Sequence, residues 1–247
     1  MNRFFLKQNH LKGKDVHFPP DISHQILHVL RLGAGEEVQV LDNQGQVHLV
    51  RLKINGTPDN LTGQIVVTEP ATGEPQTIIS LCFGLSNRDK VEWILQKATE
   101  VGVSGFYPFI SSRTLVQSTT LSKSKQERWE RIIREAAEQS GRGRLPELHP
   151  ALGLMDCLQV VEKAHTHLLA AWEASGSKQG ASLSTALKGR IDSLALFVGP
   201  EGGFSRAEVH GLMDSGCEVV SLGERILRME TAAIVFPALV LYHYGEM

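Results

Sequence analysis

Cysteine is scarce in this chain: three residues among 247, at Cys82, Cys157 and Cys217. They are odd in number, far apart, and form no CxxC pair, which excludes a disulfide framework and a zinc ribbon. Charge of one sign is lacking too. Lys and Arg number 25 against 27 Asp and Glu, a formal net charge of -2 with histidines neutral. A strongly basic coat for nucleic acid is excluded, although a local basic patch is not. No apolar run approaches the roughly 18 residues of a membrane span, and the nearest, residues 232–242, contains Pro237. The start, Met1-Asn2-Arg3-Phe4-Phe5-Leu6-Lys7, turns polar too soon for a signal peptide, so a cytoplasmic setting without a membrane is expected. What is present is ordinary for a folded chain: 42% hydrophobic and 21% charged residues, enough for a sizeable core. The length fits one large domain or two small ones.

Two rhythms divide the chain. Up to about residue 70, short β segments dominate. Glu37-Val38-Gln39-Val40-Leu41 alternates polar and apolar, Asp42-Asn43-Gln44-Gly45 has turn chemistry, and residues 47–52 resume the strand. Asn55-Gly56 and residues 61–67 continue the pattern, while residues 21–31 read as one helix with Ile22, Ile26, Val29 and Leu30 on its inner face. Several short strands with regular turns predict a small barrel. Residues 68–76 hold two prolines and read as a linker. Beyond it, strands (77–84, 105–110, 167–171, 193–198, 218–222) alternate with helices (90–101, 123–140, 182–187, 206–215 and one from Thr231). That alternation predicts a mostly parallel, helix-covered sheet.

Two strand-to-helix crossings carry candidate chemistry. After the apolar run 194–198 comes Gly199-Pro200-Glu201-Gly202-Gly203-Phe204, then Ser205 to Glu208 in capping-box spacing. The loop therefore follows a strand and feeds a helix, where open α/β sheets bind ligands. It has neither GxGxxG nor the GK[ST] of a phosphate loop, and a plain tight turn fits the spacing equally well. The second crossing runs Gly223-Glu224-Arg225-Ile226-Leu227-Arg228-Met229-Glu230-Thr231. It reads either as a loop able to hold an apolar ring or as a helix start with solvated charges.

These segments, with residues 91–103 and 134–142 plus Pro146, resemble the RsmE family over nearly the whole chain. That family comprises bacterial 16S ribosomal RNA uridine-N3 methyltransferases of the SPOUT class. The resemblance implies an α/β fold: a SPOUT-type trefoil-knotted, mostly parallel sheet with helices on both faces, plus a small N-terminal PUA-like β-barrel. It implies a barrel over residues 1–70 that binds RNA and a methyltransferase domain over 77–247. S-adenosylmethionine is the implied cofactor, and a homodimer acting on 16S ribosomal RNA within the small subunit is the implied assembly. Carried over, the cofactor pocket comprises Leu169, Ala170 and Ala171, then Val198, Gly199, Pro200, Glu201, Gly202 and Gly203. It is completed by Ser221, Leu222, Gly223, Ile226, Leu227, Arg228 and Thr231. Six residues before Gly102, where related ribose methyltransferases carry arginine, stands Gln96, which fits a base target.

The uridine imide must lose its N3 proton, and the negative charge must be stabilised. Arginine suits the second task because it stays charged, so Arg228 is the first catalytic candidate. Glu201 and Glu230 are candidates to accept the proton, or simply to brace the loop. No metal is required, and His165-x-His167 is expected to pack rather than ligate. Residues 111–144 carry eight cations against four carboxylates, a net +4. Glycines in Ser140-Gly141-Arg142-Gly143-Arg144 predict exposed arginines on a flexible loop, so Arg142 and Arg144, with Arg3, Arg31 and Arg113, are expected to contact RNA. A non-catalytic RNA-binding protein and a nucleotide-dependent kinase are the competing readings. The glycines at 199, 202, 203 and 223 speak against the first, and the missing phosphate-loop lysine against the second.

Overall fold

The computed structural model describes residues 1–54, 61–116, 118–173 and 181–247. The expected Asn55-Gly56 turn lies outside them. Two compact units emerge, one of residues Met1–Glu74 with Ala137–Leu145, the other of Pro75–Ala136 with Pro146–Met247.

The first unit is built on a sheet of order β1-β4-β5-β6-β3-β2. Its strands are β1 (Arg3–Phe5), β2 (Leu11–Lys12), β3 (Asp15–His17), β4 (Glu37–Leu41), β5 (Gln46–Ile54) and β6 (Leu61–Pro70). β4 and β5 pair antiparallel from Glu37↔Arg51 to Leu41↔Val47, as alternation and turn chemistry predict. β6 runs on to Pro70, so the first residues of the expected linker are still strand. Inward residues Phe4, Val16, Val38, Val40, Val50 and Leu52 make the core with Ile26. The helix expected over 21–31 is shorter: α1 (Pro20–His24) gives way to a π-helical turn, Gln25–Val29. The Leu30 N–H bonds the Gln25 carbonyl five residues back. That wider turn rotates the face, so Ile26 is buried while Val29 is 66% exposed.

The loop 140–144 corrects another expectation. Arg142 is buried, and its Nε and Nη2 meet the two Glu74 oxygens at 3.1 and 2.9 Å. The N–H groups of Gly143 and Arg144 donate to the same carboxylate at 3.0 and 3.1 Å. A buried guanidinium must be paired and hydrogen-bonded; here Glu74, from the stretch that reads as linker, does both.

The second unit is one parallel sheet of order β10-β8-β7-β13-β11-β14-β12, with β9 beside β8. Its strands are β7 (Ile78–Gly84), β8 (Gly105–Ile110), β9 (Glu147–Leu148), β10 (Leu152–Gly153), β11 (His167–Ala171), β12 (Ala181–Ser182), β13 (Ser193–Val198) and β14 (Glu218–Ser221). The helices are α2 (Arg88–Val101), α3 (Lys123–Ser140, its last turn counted with the first unit), α4 (Leu154–Val161), α5 (Leu183–Ala186), α6 (Arg206–Asp214) and α7 (Met229–His243). Side chains alternate across a strand, and both faces are apolar. Ile79, Leu81, Phe83, Leu194 and Leu196 pack with α2, α3 and α7. Cys82, Ala195 and Phe197 face α4 and α6. Helix α4 has no counterpart in the sequence reading: its eight residues show too short an apolar repeat. α7 starts two residues before Thr231, with Arg228 at its N-cap.

α2 starts with the Asn87 side chain accepting from the Lys90 N–H, and ends on Gly102 at φ 123°, a conformation that only glycine adopts without strain. Across it, Glu92 accepts from Arg128 Nε and Nη2 at 2.6 and 2.7 Å and from Arg88 Nε at 2.8 Å. The Arg128 bonds foremost, with Arg88 adding to them, hold the Glu92 carboxyl at about 2 instead of 4.5. A carboxyl lowered in the folded state stabilises the fold above its unfolded pKa and ceases to do so as pH falls through its folded one. Glu92→Gln is therefore expected to be less stable than the wild type at neutral pH, and the gap in chemical denaturation should close as pH falls from about 4.5 to about 2.

Candidate active site

Among the described residues, a cavity of about 520 Å³ opens at the carboxyl ends of β13, β11 and β14. It sits where β13 is inserted between β7 and β11, and such edges are where open parallel sheets bind ligands. Its volume lies inside the roughly 300–1,000 Å³ of small-molecule sites.

The loop 199–204 forms one wall. The Gly203 N–H bonds the Pro200 carbonyl at 2.8 Å, and Gly203 has φ 66°. Ser205 and Glu208 complete the expected capping box, and Glu208 also accepts from the Ser112 N–H at 2.7 Å. Burial pushes the Glu208 carboxyl up, but the backbone N–H groups of Ser112 and Ser205 outweigh it and hold it below the usual range. Arg113 donates to the Gly202 carbonyl at 3.0 Å and the Phe204 carbonyl at 3.4 Å. Its guanidinium therefore braces the loop, and the residue is exposed. The loop is also wedged from below. A Cβ at Gly84 would lie 2.6 Å from the Pro200 nitrogen and 2.8 Å from its Cα. Both are backbone atoms that cannot swing aside.

The second wall runs from Ser221 to Arg228. The Ser221 hydroxyl accepts from the Gly223 N–H at 3.2 Å and donates to the Gly223 carbonyl at 3.1 Å. Gly223 has φ 122°, and a Cβ there would meet nothing within 4 Å. Leu222 and Leu227 are half-buried, while Ile226 is 76% exposed. Arg228 is exposed and lines the cavity.

A charged cluster closes the inner end. Lys90 Nζ lies 3.1 Å from Glu201 Oε1 and 3.9 Å from Glu230 Oε2, and the Ser86 hydroxyl donates to Glu201 Oε1. Burial pushes the Glu201 carboxyl up, but the bonds from Ser86, its own N–H and Lys90 hold it below the usual range. Glu230 Oε2 is buried and accepts no hydrogen bond.

The cavity thus brings together Ala171, Val198 to Gly203, Ser221 to Gly223, Ile226 to Arg228 and Glu230. Leu169 and Ala170 do not reach it: they are buried in β11, one toward each face of the sheet. Thr231 is exposed and lies outside its lining. Lys90, Trp172 and Phe204 line it without having been anticipated. Of these, Lys90 had a signal, three residues after an N-cap Asn at the end of a strand. Of the arginines expected to contact RNA, Arg31 (φ 56°) and Arg144 are exposed. Arg3 is half-buried with Nε on Gln39 Oε1 at 2.8 Å. His165 Nδ1 sits 2.5 Å from Ser193 Oγ.

Fold and cavity define an α/β protein with a ligand site between two strand-to-helix crossings. The family pattern described as RNA methyltransferase domain matches residues 73–241. Ribosomal RNA small subunit methyltransferase E of Bacillus subtilis (strain 168) is 32% identical over 98% of this chain and 96% of its own. That of Synechocystis sp. is 35% identical over 86% of this chain and 68% of its own. The crystal structure of the Neisseria gonorrhoeae enzyme of the same name, bound to S-adenosyl methionine, superposes with a TM-score of 0.85 at 29% identity, covering 98% of this chain and 97% of that one. A putative methyltransferase from Legionella pneumophila, in complex with the bound cofactor SAM, gives 0.83 at 26% identity, covering 97% and 96%. The chain belongs to the RNA methyltransferase family, in the group named ribosomal RNA small subunit methyltransferase E.

Gly84→Ala is expected to cost about 1–3 kcal/mol through overpacking against Pro200, measurable by denaturant unfolding. Gly223→Ala has open space and is strained only by its φ, so its cost should be about 1–3 kcal/mol, that of a side chain held at positive φ, with no overpacking added.

Proposed function

We propose that this chain transfers the methyl group of S-adenosylmethionine to N3 of a uridine in small-subunit ribosomal RNA. The observation that carries the reading is the single cavity shared by the two glycine-bearing crossings. The residues present fit the cofactor. Gly203 and Gly223 leave open space where side chains would stand. Apolar Val198, Leu222 and Leu227 line the same cavity as the loop 199–203, a surface suited to an uncharged adenine. Exposed Ile226 offers apolar area that a bound ring would cover. When bound, the cofactor supplies an electrophilic methyl group on a sulfonium. Everything else falls to the chain: orienting the base, removing its proton and stabilising the imidate. Arg228, with Glu201 and Glu230, stands at the cavity for those tasks.

The finer architecture belongs to the same reading. The two crossings meeting at one cavity support a trefoil-knotted SPOUT-type domain over residues 77–247, and the six-stranded first unit supports a PUA-like RNA-binding barrel over 1–70. A homodimer would cover exposed Leu239 and Tyr242 on α7. No helix among the described residues is long and apolar enough to cross a membrane, in keeping with work on ribosomal RNA in the cytoplasm.

Calorimetry with S-adenosylmethionine, and mass mapping of the methylated product, test the assignment directly; ATP binding in its place would remove it. Arg228→Ala should lower turnover by about 100-fold or more while leaving cofactor affinity nearly unchanged. Equal losses in both would reassign Arg228 to cofactor binding. Replacing exposed Arg31 and Arg144 together with Ala should flatten the salt dependence of RNA binding by a log–log slope of about 1–2. Arg142→Ala should instead destabilise the fold by about 1–3 kcal/mol, because it leaves the Glu74 carboxylate with only the Gly143 and Arg144 N–H donors.

A further inference from the structure

Glu230 Oε2 presents an anomaly. A buried carboxylate oxygen ordinarily finds a donor. This one accepts none, although the Lys90 ammonium stands 3.9 Å away. That distance is too long for a hydrogen bond. Lys90 is turned toward Glu201 at 3.1 Å instead. An ammonium has three N–H donors, and the Glu201 contact occupies one. Lys90 and Glu230 both line the cavity, so a carboxylate without a donor on one oxygen and an incompletely used ammonium stand side by side at its inner end.

We infer that Lys90 and Glu230 together read the imide edge of the target uracil, Glu230 accepting the N3–H and Lys90 donating to the adjacent O4 carbonyl oxygen. The inference rests on the uridine reading above. Uracil presents a donor flanked by acceptors on this edge. Cytosine presents an acceptor at N3 and an amino donor beside it, so it would face Glu230 with a lone pair and Lys90 with N–H groups. The same pair that orients uracil thus rejects cytosine, because the mismatch sets a lone pair against the carboxylate and N–H groups against the ammonium.

The pair also serves the proton step. The N3–H bond breaks, an O–H bond forms on the Glu230 carboxylate, and the negative charge passes from the carboxylate to the imide. There it spreads onto the carbonyl oxygens. Lys90 stands where the oxygen nearest it gains that charge, and a fixed cation in a partly enclosed site stabilises it. Glu201 is not the acceptor in this scheme. Its Oε1 is already held by Ser86 and Lys90, and that bond aims the ammonium. Glu201 is a positioning residue.

The test uses the full-length protein and small-subunit ribosomal RNA, transcribed with uridine or with 5-fluorouridine throughout. The fluorine makes the N3 proton more acidic. Glu230→Gln and Lys90→Met are each expected to lose about 100-fold or more in turnover, with S-adenosylmethionine affinity by calorimetry unchanged within about twofold. Lys90→Arg, which keeps the charge, should retain more activity than Lys90→Met. Fluorinated RNA should restore both variants by about tenfold or more relative to its effect on the wild type, since it lightens the step that they impair. Losses that fluorination does not relieve, or a parallel fall in S-adenosylmethionine affinity, would overturn the inference and place the cluster in loop bracing or cofactor binding. A wild-type methyl mapped to another atom would overturn the underlying uridine reading, an outcome separable from either variant result.

Discussion

The site depends on one close approach. Pro200 sits against the end of β7 so tightly that Gly84 has no room for a side chain. That contact locks the glycine-rich loop over the neighbouring strand's carboxyl end. It also brings the residues after β7 within reach of the loop: Ser86 and Lys90 both meet Glu201. Without it, the loop would be a turn between β13 and α6 with nothing at its inner end.

The remaining wall follows from parallel order. β11 lies between β13 and β14, so the loops after β13 and β14 flank one strand end and enclose a single cavity. A parallel sheet buried on both faces needs helices on each side. The apolar residues of β7 and β13 sort accordingly, one set facing α2 and α7 and the other α4 and α6. α7 carries Pro237 in its interior, which withholds a donor from the Ala233 carbonyl. Burial of Phe236, Val240 and Leu241 offsets that loss.

Charge follows the same economy. Arginines that look alike in the sequence do different work: Arg142 is sunk onto Glu74, Arg113 ties down loop carbonyls, and Arg128 grips Glu92. A guanidinium with a fixed fork suits each of these tasks. The pattern of cations alone does not reveal which of them face solvent.

Much was legible from residue order. Period-two alternation marked β4 and β5, apolar runs marked β8, β11 and β13 to the residue, and Ser205 with Glu208 announced the start of α6. The two glycine-bearing loops were visible as candidates because strand, glycine and cap follow one another locally. Other features were settled only by tertiary structure. The π-helical turn, the short α4 and the burial of Arg142 each depend on partners distant in sequence, such as Glu74 sixty-eight residues away. The juxtaposition of Lys90 with Glu201 and Glu230 is of the same kind. Local chemistry writes the elements and their caps. Which side chains share a cavity is decided by strand order in the sheet, a long-range arrangement that no short motif encodes.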